Sequence, residues 1–193
     1  MFKKENLREY QISLINEIKA KDRLLLAVDM GLGKTVSCLT AIEERPEIKK
    51  ILVVGPKNVA QVTWPQEFKE WEHLENQSFT VIKGTEKQRL KALANDTRFY
   101  IVNREMIPWL YKNNSIKFDM LIWDESSSLK SAKLKTDKGE LSRYGALLKM
   151  VENIKKVILL TGTPTPNGLE DIFGQIRVLS EEPLGKSKYK FLQ

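Results

Sequence analysis

The sequence predicts an α/β domain with a mostly parallel sheet and helices on both faces. Six short apolar runs are rich in β-branched residues and show little alternation, which is typical of strands buried on both sides of a parallel sheet. Helical spacing appears between the runs, and this succession indicates a doubly wound architecture. The runs are RLLLAV at 23–28, KILVVG at 50–55, FTVIK at 79–83, FYIVN at 99–103, FDMLIW at 118–123 and KVILLT at 156–161.

Apolar residues three or four positions apart predict the helices between these strands, because such residues share one helical face. Pro65 in WPQEFKEW stands where the first turn of a helix accepts proline. The polar residues 126–139 predict a long loop, and no strong pattern is present from Ser180 onward. The helical patterns are Leu7, Tyr10, Leu14 and Ile18; Val36, Leu39 and Ile42; EKQRLKALAN at 86–95; and Leu141, Tyr144, Leu148 and Val151.

Length and composition describe one soluble globular domain without a membrane span. The 193 residues are 41% hydrophobic and 30% charged, as in ordinary globular proteins. No apolar run reaches the roughly 18 residues that a membrane helix needs, and the charged amino terminus lacks the apolar region of a secretory signal. Cys38 is the only cysteine, which excludes an internal disulfide and favours a reducing cytosol.

The single histidine limits the chemistry further. One cysteine and one histidine cannot build a Cys/His zinc site, so we expect no zinc. A Ser-His-Asp or Cys-His enzyme would have to use His73, which lies in the charged helical stretch KEWEHLEN. We therefore interpret His73 as a solvated surface residue.

Positive charge is concentrated in one part of the chain. The formal net charge is +7, and residues 126–156 hold eight basic against three acidic residues, a net of +5. A basic surface suits a polyanionic partner, although the same segment also fits a solvated loop. If the segment faces nucleic acid, Lys133, Lys135 and Lys138 contact its phosphates.

The stretch LAVDMGLGKTVSC, at 26–38, has the context of a phosphate-binding loop, between a predicted strand and a predicted helix. Its glycines let backbone N–H groups point into a concavity for phosphate oxygens, and the helix N-terminus favours the same anion. Lys34 can reach the β- and γ-phosphates, and the Thr35 hydroxyl can bind Mg²⁺. A glycine turn with a capping threonine is the alternative, and Val28 occupies a position that is usually glycine.

Two other predicted strands end in polar residues. Asp124 and Glu125 follow FDMLIW, and adjacent carboxylates at a strand end are costly unless a cation or water uses them. We expect Asp124 to hold Mg²⁺ and Glu125 to orient or deprotonate water; the alternative is a polar strand end that caps the next loop. Thr161 and Thr163 in ILLTGTPTPNG are expected to hydrogen-bond these carboxylates, unless the segment is only a Pro/Gly turn.

The order of the motifs resembles the superfamily 2 helicases, most closely the SWI/SNF-type ATPases and particularly their compact phage and bacterial members. The matching segments are LREYQ, DMGLGKT, VVGPKNVAQVTWPQEFKEW, IVNRE, WDESSSLK and LTGTPTPNGLEDI. The resemblance runs from about Leu7 to Leu179. It implies a RecA-like P-loop domain over 1–179, followed at 180–193 by a C-terminal tail or the start of an interdomain linker. In SWI/SNF-like loops an acidic residue and methionine precede GLGKT, so Val28 agrees with that version.

The resemblance also implies roles for individual residues, with ATP and Mg²⁺ as ligands and Lys34, Asp124 and Glu125 as the catalytic set. Gln11 matches the glutamine that reads adenine, because an amide offers a donor and an acceptor. The nucleotide loop corresponds to Asp29, Met30, Gly31, Leu32, Gly33, Lys34 and Thr35. Nucleic-acid contacts are implied for Pro56, Lys57, Asn58, Asn103, Arg104 and Lys130. Coupling of the nucleotide state to the nucleic-acid grip is implied for Thr161, Gly162 and Thr163.

Two departures from the family pattern affect the expected activity. Ser126 and Ser127 replace Gly-His or Ala-His after Asp-Glu, which removes an imidazole that links the ATP site to the coupling motif. The 193 residues do not contain a second RecA-like domain, whose arginine fingers are worth about 10³–10⁵ in rate. We therefore expect the ATP-binding N-terminal domain of an ATPase acting on double-stranded DNA, weakly active or inactive until a second RecA-like domain completes it in cis or in trans.

Two other functions fit parts of the pattern. The departures suit a non-catalytic regulator that docks on DNA or on a full-length helicase as a decoy. A P-loop phosphotransferase is a weaker alternative, because nothing in the sequence resembles an acceptor-binding lid and the threonine-glycine-threonine strand end argues against it.

Overall fold

The computed structural model describes residues 1–180, and the tail predicted at 180–193 lies outside this range from residue 181 onward. Each of the six apolar runs contains a strand. In chain order these are β1 (Arg23–Ala27), β2 (Ile51–Gly55), β3 (Phe79–Ile82), β4 (Phe99–Asn103), β5 (Met120–Asp124) and β6 (Lys156–Thr161).

The strands form one parallel sheet in the order β1-β6-β5-β2-β4-β3. Parallel strands present all their carboxyl ends at the same edge, where α/β proteins usually bind their ligands. The connection from β1 to β2 passes over β6 and β5, so the loop after β1 starts beside the ends of those two strands. The predicted fold class, a RecA-like α/β domain, is confirmed by this topology and by the structural comparisons below.

Seven helices within residues 1–180 cover both faces of the sheet. Those on one face pack against Ile51, Val53 and Ile158, and those on the other pack against Leu52, Val54 and Leu159. The first group is α1 (Glu9–Ala20), α2 (Lys34–Glu43) and α3 (Trp64–Glu70). The second group is α4 (Glu86–Leu93), α5 (Ile107–Asn113), α6 (Arg143–Val151) and α7 (Ile172–Leu179).

Some local predictions were wrong. The buried face of α1 is Gln11, Ile15 and Ile18, whereas Tyr10 is exposed. A π-helical turn, Val59–Thr63, precedes α3, and the predicted loop at 126–139 begins with a 3₁₀ helix, Ser126–Leu129. The short helices α5 and α7 had no counterpart in the sequence prediction.

His73 is half-buried instead of solvated. Its Nε2 atom is 2.8 Å from the Thr40 hydroxyl, and its ring meets Trp71 edge-on at 5.7 Å. Burial lowers the pKa of His73, which favours the neutral imidazole. The charged neighbours in the sequence concealed this, because His73 lies in a 3₁₀ turn, Glu72–Leu74, that directs the ring towards α2.

No helix in the described part of the chain, residues 1–180, combines the length and the hydrophobicity needed to cross a bilayer.

A candidate nucleotide site at the carboxyl edge of the sheet

The loop between β1 and α2, residues 28–33, is shaped by two glycines in the left-handed region. Gly31 has φ 78°, and Gly33, with φ 72°, is the N-cap of α2. Only glycine adopts this conformation without steric cost, which explains both positions. Lys34 Nζ donates to the carbonyl oxygens of Val28 at 2.7 Å and Asp29 at 2.9 Å. The ammonium group therefore lies over the loop at the N-terminus of α2.

Gln11 packs against this loop from α1. Its side chain is buried, and Oε1 accepts a hydrogen bond from the Arg8 backbone N–H at 2.8 Å. A Cβ atom on Gly33 would overlap Gln11 Nε2, so the amide nitrogen occupies the space that a side chain would need. Because a carbonyl oxygen can accept two hydrogen bonds, the amide keeps both a donor and an acceptor. The predicted reading of adenine remains a prediction.

Asp124 ends β5 and is held by two donors. Its side chain is 6% exposed. Oδ2 accepts from Trp64 Nε1 at 2.9 Å, and Oδ1 accepts from the Glu125 backbone N–H at 3.0 Å. Burial raises the pKa of Asp124, while the Trp64 hydrogen bond and the charge of Lys34 act in the opposite direction. The result is a fixed carboxylate whose charge depends on its donors.

Trp64 was missed as a functional residue in the sequence. It stands fully buried at the start of α3, and its ring packs in the core while its N–H reaches Asp124. A buried indole usually needs a hydrogen-bond partner. That need was the one available signal, but the sequence did not identify the partner, which lies 60 positions away.

Glu125 has a strained backbone. Its φ of 56° and ψ of 57° lie in the left-handed region, which costs a non-glycine residue roughly 1–3 kcal/mol. The Ser128 N–H donates to the Glu125 carbonyl at 3.1 Å, so the 3₁₀ helix that follows supports this turn. The Glu125 side chain, at the carboxyl end of β5, is half-buried.

The segment Thr161-Gly162-Thr163 lies beside the glycine loop. The Val28 N–H donates to the Thr161 carbonyl at 3.0 Å, and a Cβ atom on Gly162 would approach Met30 Cγ to 3.2 Å. Within residues 1–180, the predicted hydrogen bonds from Thr161 and Thr163 to the carboxylates of Asp124 and Glu125 are not formed. The Thr161 hydroxyl accepts from the Thr163 N–H at 3.1 Å instead, because a turn directly after the strand brings that N–H back to it.

The predicted nucleic-acid contacts lie further along the same edge. Pro56, Lys57 and Asn58 follow β2, and the register pairs Gly55 with Asn103, so Asn103 and Arg104 lie at the adjacent strand end. Lys57 and Asn58 are exposed. Arg104 and Arg143 both contact the Glu105 carboxylate, at 3.3 and 2.6 Å, which offsets part of their charge.

Lys83 extends this edge and was not predicted. It directly follows β3, the strand beside β4, and is exposed. Lys57, Gln61, Lys83 and Gln88 line one shallow depression. The ends of β2, β4 and β3 therefore each carry a cation within two residues of the strand.

The basic segment at 126–156 does not form one charged face. Lys133 pairs with Asp137, Lys149 pairs with Glu152, and the buried Lys156 donates to a backbone carbonyl at the amino edge of the sheet. Lys130 and Lys135 are exposed. Lys135 lines a groove together with Arg23 and Arg177. The net +5 is thus divided between different parts of the surface.

A family model described as the SNF2-related domain matches residues 10–193. The chain belongs to the SNF2-related domain family. This membership confirms the resemblance to SWI/SNF-type ATPases, and it covers the glycine loop, Asp124-Glu125 and Thr161-Gly162-Thr163.

Two curated relatives of this SNF2-related domain illustrate its range. "Putative protein p41" of Acyrthosiphon pisum secondary endosymbiont phage 1 is 38% identical over 193 residues, which are 95% of this chain and 41% of the phage protein. The DNA repair and recombination protein RAD54B of Homo sapiens is 32% identical over 180 residues, covering 86% of this chain and 18% of RAD54B. The chain therefore spans less than half the length of these relatives.

Solved structures show the same fold. The Sulfolobus solfataricus SWI2/SNF2 ATPase core in complex with dsDNA superimposes with a TM-score of 0.78 at 24% identity, covering 96% of this chain and 38% of that one. The UvsW helicase from bacteriophage T4 gives a TM-score of 0.64 at 15% identity, with 90% and 57% covered.

Proposed function

We propose that this SNF2-related domain binds ATP with Mg²⁺ as the N-terminal RecA-like half, residues 1–179, of a DNA-dependent ATPase of the helicase or translocase type. One observation carries the proposal. The glycine loop, Asp124-Glu125 and Thr161-Gly162-Thr163 stand at the ends of three adjacent strands, β1, β5 and β6. A cytosolic setting agrees with the single buried thiol of Cys38.

The residues around the loop fit a nucleotide with its metal. Backbone N–H groups of the glycine loop and the N-terminus of α2 bind phosphate oxygens, and Lys34 adds a positive charge within reach of them. Thr35 in the first turn of α2 and the buried Asp124 provide oxygen ligands of the kind that Mg²⁺ prefers. Mg²⁺, when bound, neutralises phosphate charge. Gln11, packed on Gly33, is placed beside the same loop to hold adenine.

Glu125 is the proposed base. It directly follows the proposed metal ligand Asp124, and its backbone leaves the extended conformation of β5 for the left-handed region. A carboxylate there orients a water molecule and accepts its proton at an Oε atom. Asp124 remains ionised for metal binding, with Trp64 donating to its Oδ2 atom.

The nucleic-acid surface is proposed along the ends of β2, β4 and β3. Lys57, Asn58 and Arg104 provide donors for backbone phosphates, and Lys83 continues the row. Contacts to phosphates position a protein without reading sequence. Double-stranded DNA is the proposed partner, supported by the similarity in fold to the Sulfolobus ATPase core, which was solved in complex with dsDNA. Lys130, Lys133 and Lys135 are proposed as additional contacts.

A second RecA-like domain is proposed to complete the catalytic cleft. The glycine loop is open to solvent, with Met30 77% exposed, so a second domain has access to the side of the loop that would hold the phosphates. We therefore expect the 193-residue chain to bind nucleotide and to hydrolyse it slowly.

The test compares the unmodified chain with Lys34→Ala, and uses Lys87→Ala as a control at an exposed helix position. Thermal stabilisation by Mg·ATP and phosphate release are measured with and without double-stranded DNA. Lys34→Ala is expected to lose the stabilisation and Lys87→Ala to keep it. Equal stabilisation of Lys34→Ala would overturn the ATP site. Robust DNA-stimulated hydrolysis that Lys34→Ala abolishes would overturn the need for a second domain.

A further inference from the structure

A buried hydrogen-bonded link connects the loop after β5 to the loop after β6. Ser126 and Gln175 are both fully buried. Ser126 Oγ donates to Gln175 Oε1 at 2.7 Å. Gln175 Nε2 donates to the carbonyl oxygens of Pro164 at 2.6 Å and Asp171 at 3.2 Å. One side chain on α7 thus joins the residue after Glu125 to the segment after Thr163.

The direction of every bond in this link is fixed by chemistry. Carbonyl oxygens only accept, so the atom of the Gln175 amide that faces Pro164 and Asp171 must be the nitrogen. Its oxygen then faces Ser126, and the serine hydroxyl must donate. All polar atoms of the pair have partners in a site without solvent, which is the condition for a buried polar group to be tolerated.

Gly174 explains why α7 comes close enough to form the link. A Cβ atom at this position would overlap the carbonyl oxygen of Leu129, which ends the 3₁₀ helix that begins at Ser126. Glycine inside a helix is unfavourable by about 1 kcal/mol relative to alanine, and here it permits the close approach. On the far side, Asp171 Oδ2 accepts from the Asn167 backbone N–H at 2.8 Å, so the loop after β6 is held as well.

We propose that Gln175 is a positioning residue for Glu125. Through Ser126 it fixes the backbone beside the strained Glu125, and through Pro164 it holds the loop after Thr163. The two loops consequently move as one unit, and a displacement of either one reaches the other through a single amide. The consequence for hydrolysis rests on the proposed ATP function, but the mechanical link itself does not.

The link is tested first without nucleotide, by amide hydrogen exchange on the 193-residue chain. Glu125 N–H, bonded to Asp124, reports on one loop, and Asn167 N–H, bonded to Asp171, reports on the other. Ser126→Ala and Gln175→Met are each expected to accelerate exchange at both amides by about tenfold, the scale of one buried hydrogen bond lost. The double variant is expected to match the single ones, because both remove the same link.

Tyr144→Phe is the matched control. It removes a 3.0 Å hydrogen bond from Tyr144 to the carbonyl of Gly174, which lies on α7 beside Gln175, and it leaves Ser126 and Gln175 unchanged. It is expected to leave exchange at Glu125 unaltered. Acceleration confined to Asn167 in Gln175→Met, or additive effects in the double variant, would overturn the link.

A second experiment adds a non-hydrolysable Mg·ATP analogue. In the unmodified chain we expect protection at Glu125 and Asn167 as well as in the glycine loop. In Gln175→Met, binding is expected to stay within about threefold, since the hydrogen bonds of Gln175 go to Ser126, Pro164 and Asp171 and not to the glycine loop, while protection is lost at Asn167. Absence of binding by the unmodified chain would count against the ATP function, with the ligand-free exchange still deciding the link. Binding without protection at Asn167 in the unmodified chain would overturn the link alone.

Discussion

The Trp64–Asp124 hydrogen bond sets the charge of the proposed metal ligand. Asp124 is nearly inaccessible, and burial alone would favour its neutral form. The indole N–H at 2.9 Å opposes this by bonding to the ionised carboxylate. A neutral carboxyl group is a poor Mg²⁺ ligand, so protons and metal compete for this residue. Because the pKa of Asp124 is raised, the competition occurs at a higher pH than for an exposed aspartate.

Replacement of Trp64 by phenylalanine should therefore shift the pH dependence of Mg²⁺ action. Without the indole donor the pKa of Asp124 rises further. As the pH falls, the Mg²⁺-dependent part of the stabilisation by nucleotide should then be lost at a higher pH in the variant than in the unmodified chain. The measurement is the difference in Tm with and without Mg·nucleotide at each pH.

Trp71→Phe provides the control for Trp64→Phe. It removes a comparable indole bond, 3.0 Å to Glu67, that does not involve Asp124, so its pH profile should match the unmodified chain. The same midpoint in Trp64→Phe and Trp71→Phe would contradict the role given to Trp64.

The sequence predicted which residues gather at this edge better than it predicted their partners. Asp124, Thr161 and the glycine loop were recognised because strand ends and glycines leave strong local patterns. The orientation of Trp64 was not predictable, because its partner lies on another element and burial periodicity carries no hydrogen-bond direction. The Thr161 hydroxyl bonds within its own turn, a local competition that the pattern of polar residues does not resolve.

At the scale of elements, the packing of α1 against the glycine loop requires a glycine at position 33. Gly31 and Gly33 both have positive φ, but a Cβ atom on Gly31 would meet nothing within 4 Å, whereas one on Gly33 would overlap Gln11 Nε2. A comparison of substitutions at Gly31 and Gly33 therefore separates the free-energy cost of a positive φ from the cost of a clash with Gln11 of α1. Backbone strain of about 1 kcal/mol is common to both positions.

Gly33→Ala should accordingly be more destabilising than Gly31→Ala. We expect a loss of about 1 kcal/mol in the free energy of unfolding for Gly31→Ala, from strain alone. For Gly33→Ala we expect about 2–4 kcal/mol, because Gln11 must also leave its buried place and its bond to Arg8. Urea unfolding of both variants measures the difference. Equal losses of unfolding free energy in the two variants would show that the contact between α1 and the loop adds no cost at Gly33.

Strands were easier to predict than helices for a physical reason. The four inner strands are almost fully buried and become continuous apolar runs, and the two edge strands β1 and β3 remain apolar enough that all six were recognisable. The helices α5 and α7 span seven and eight residues, with Pro108 in one and Gly174 in the other. Gly174 is a local signal against a helix, whereas Pro108 stands in the first turn of α5, where proline is accepted. Tertiary packing overrides the signal of Gly174, and the close approach to Leu129 is the compensating contact.

For the whole molecule, the positions of the basic residues define the proposed nucleic-acid surface better than the net charge does. The excess of positive charge in 126–156 suited either a nucleic-acid face or a solvated loop, and the fold distributes those residues between ion pairs, a buried site and separate surfaces. The strand ends instead line up Lys57, Arg104 and Lys83 because parallel strands all finish at one edge. Lys83 had no visible pattern in the sequence, since its significance comes from the sheet order and not from its neighbours.

Lys83→Ala should therefore weaken DNA binding through the loss of one phosphate contact. Each phosphate neutralised contributes about 0.9 to the slope of log K against log salt for duplex DNA. We expect the slope to decrease by about that amount and the loss of affinity to be similar for unrelated DNA sequences. Titration of the unmodified chain and the variant with duplex DNA at several salt concentrations gives both quantities.

Lys155→Ala is the matched control for Lys83→Ala, because it removes the same charge from the opposite edge of the sheet. Lys155 directly precedes β6, and its side chain is 83% exposed. If attraction depended only on the net charge of +7, the two variants would lose affinity equally. A surface defined by strand ends predicts a reduced salt slope for Lys83→Ala and an unchanged slope for Lys155→Ala. Equal slopes in the two variants would remove Lys83 from the DNA surface.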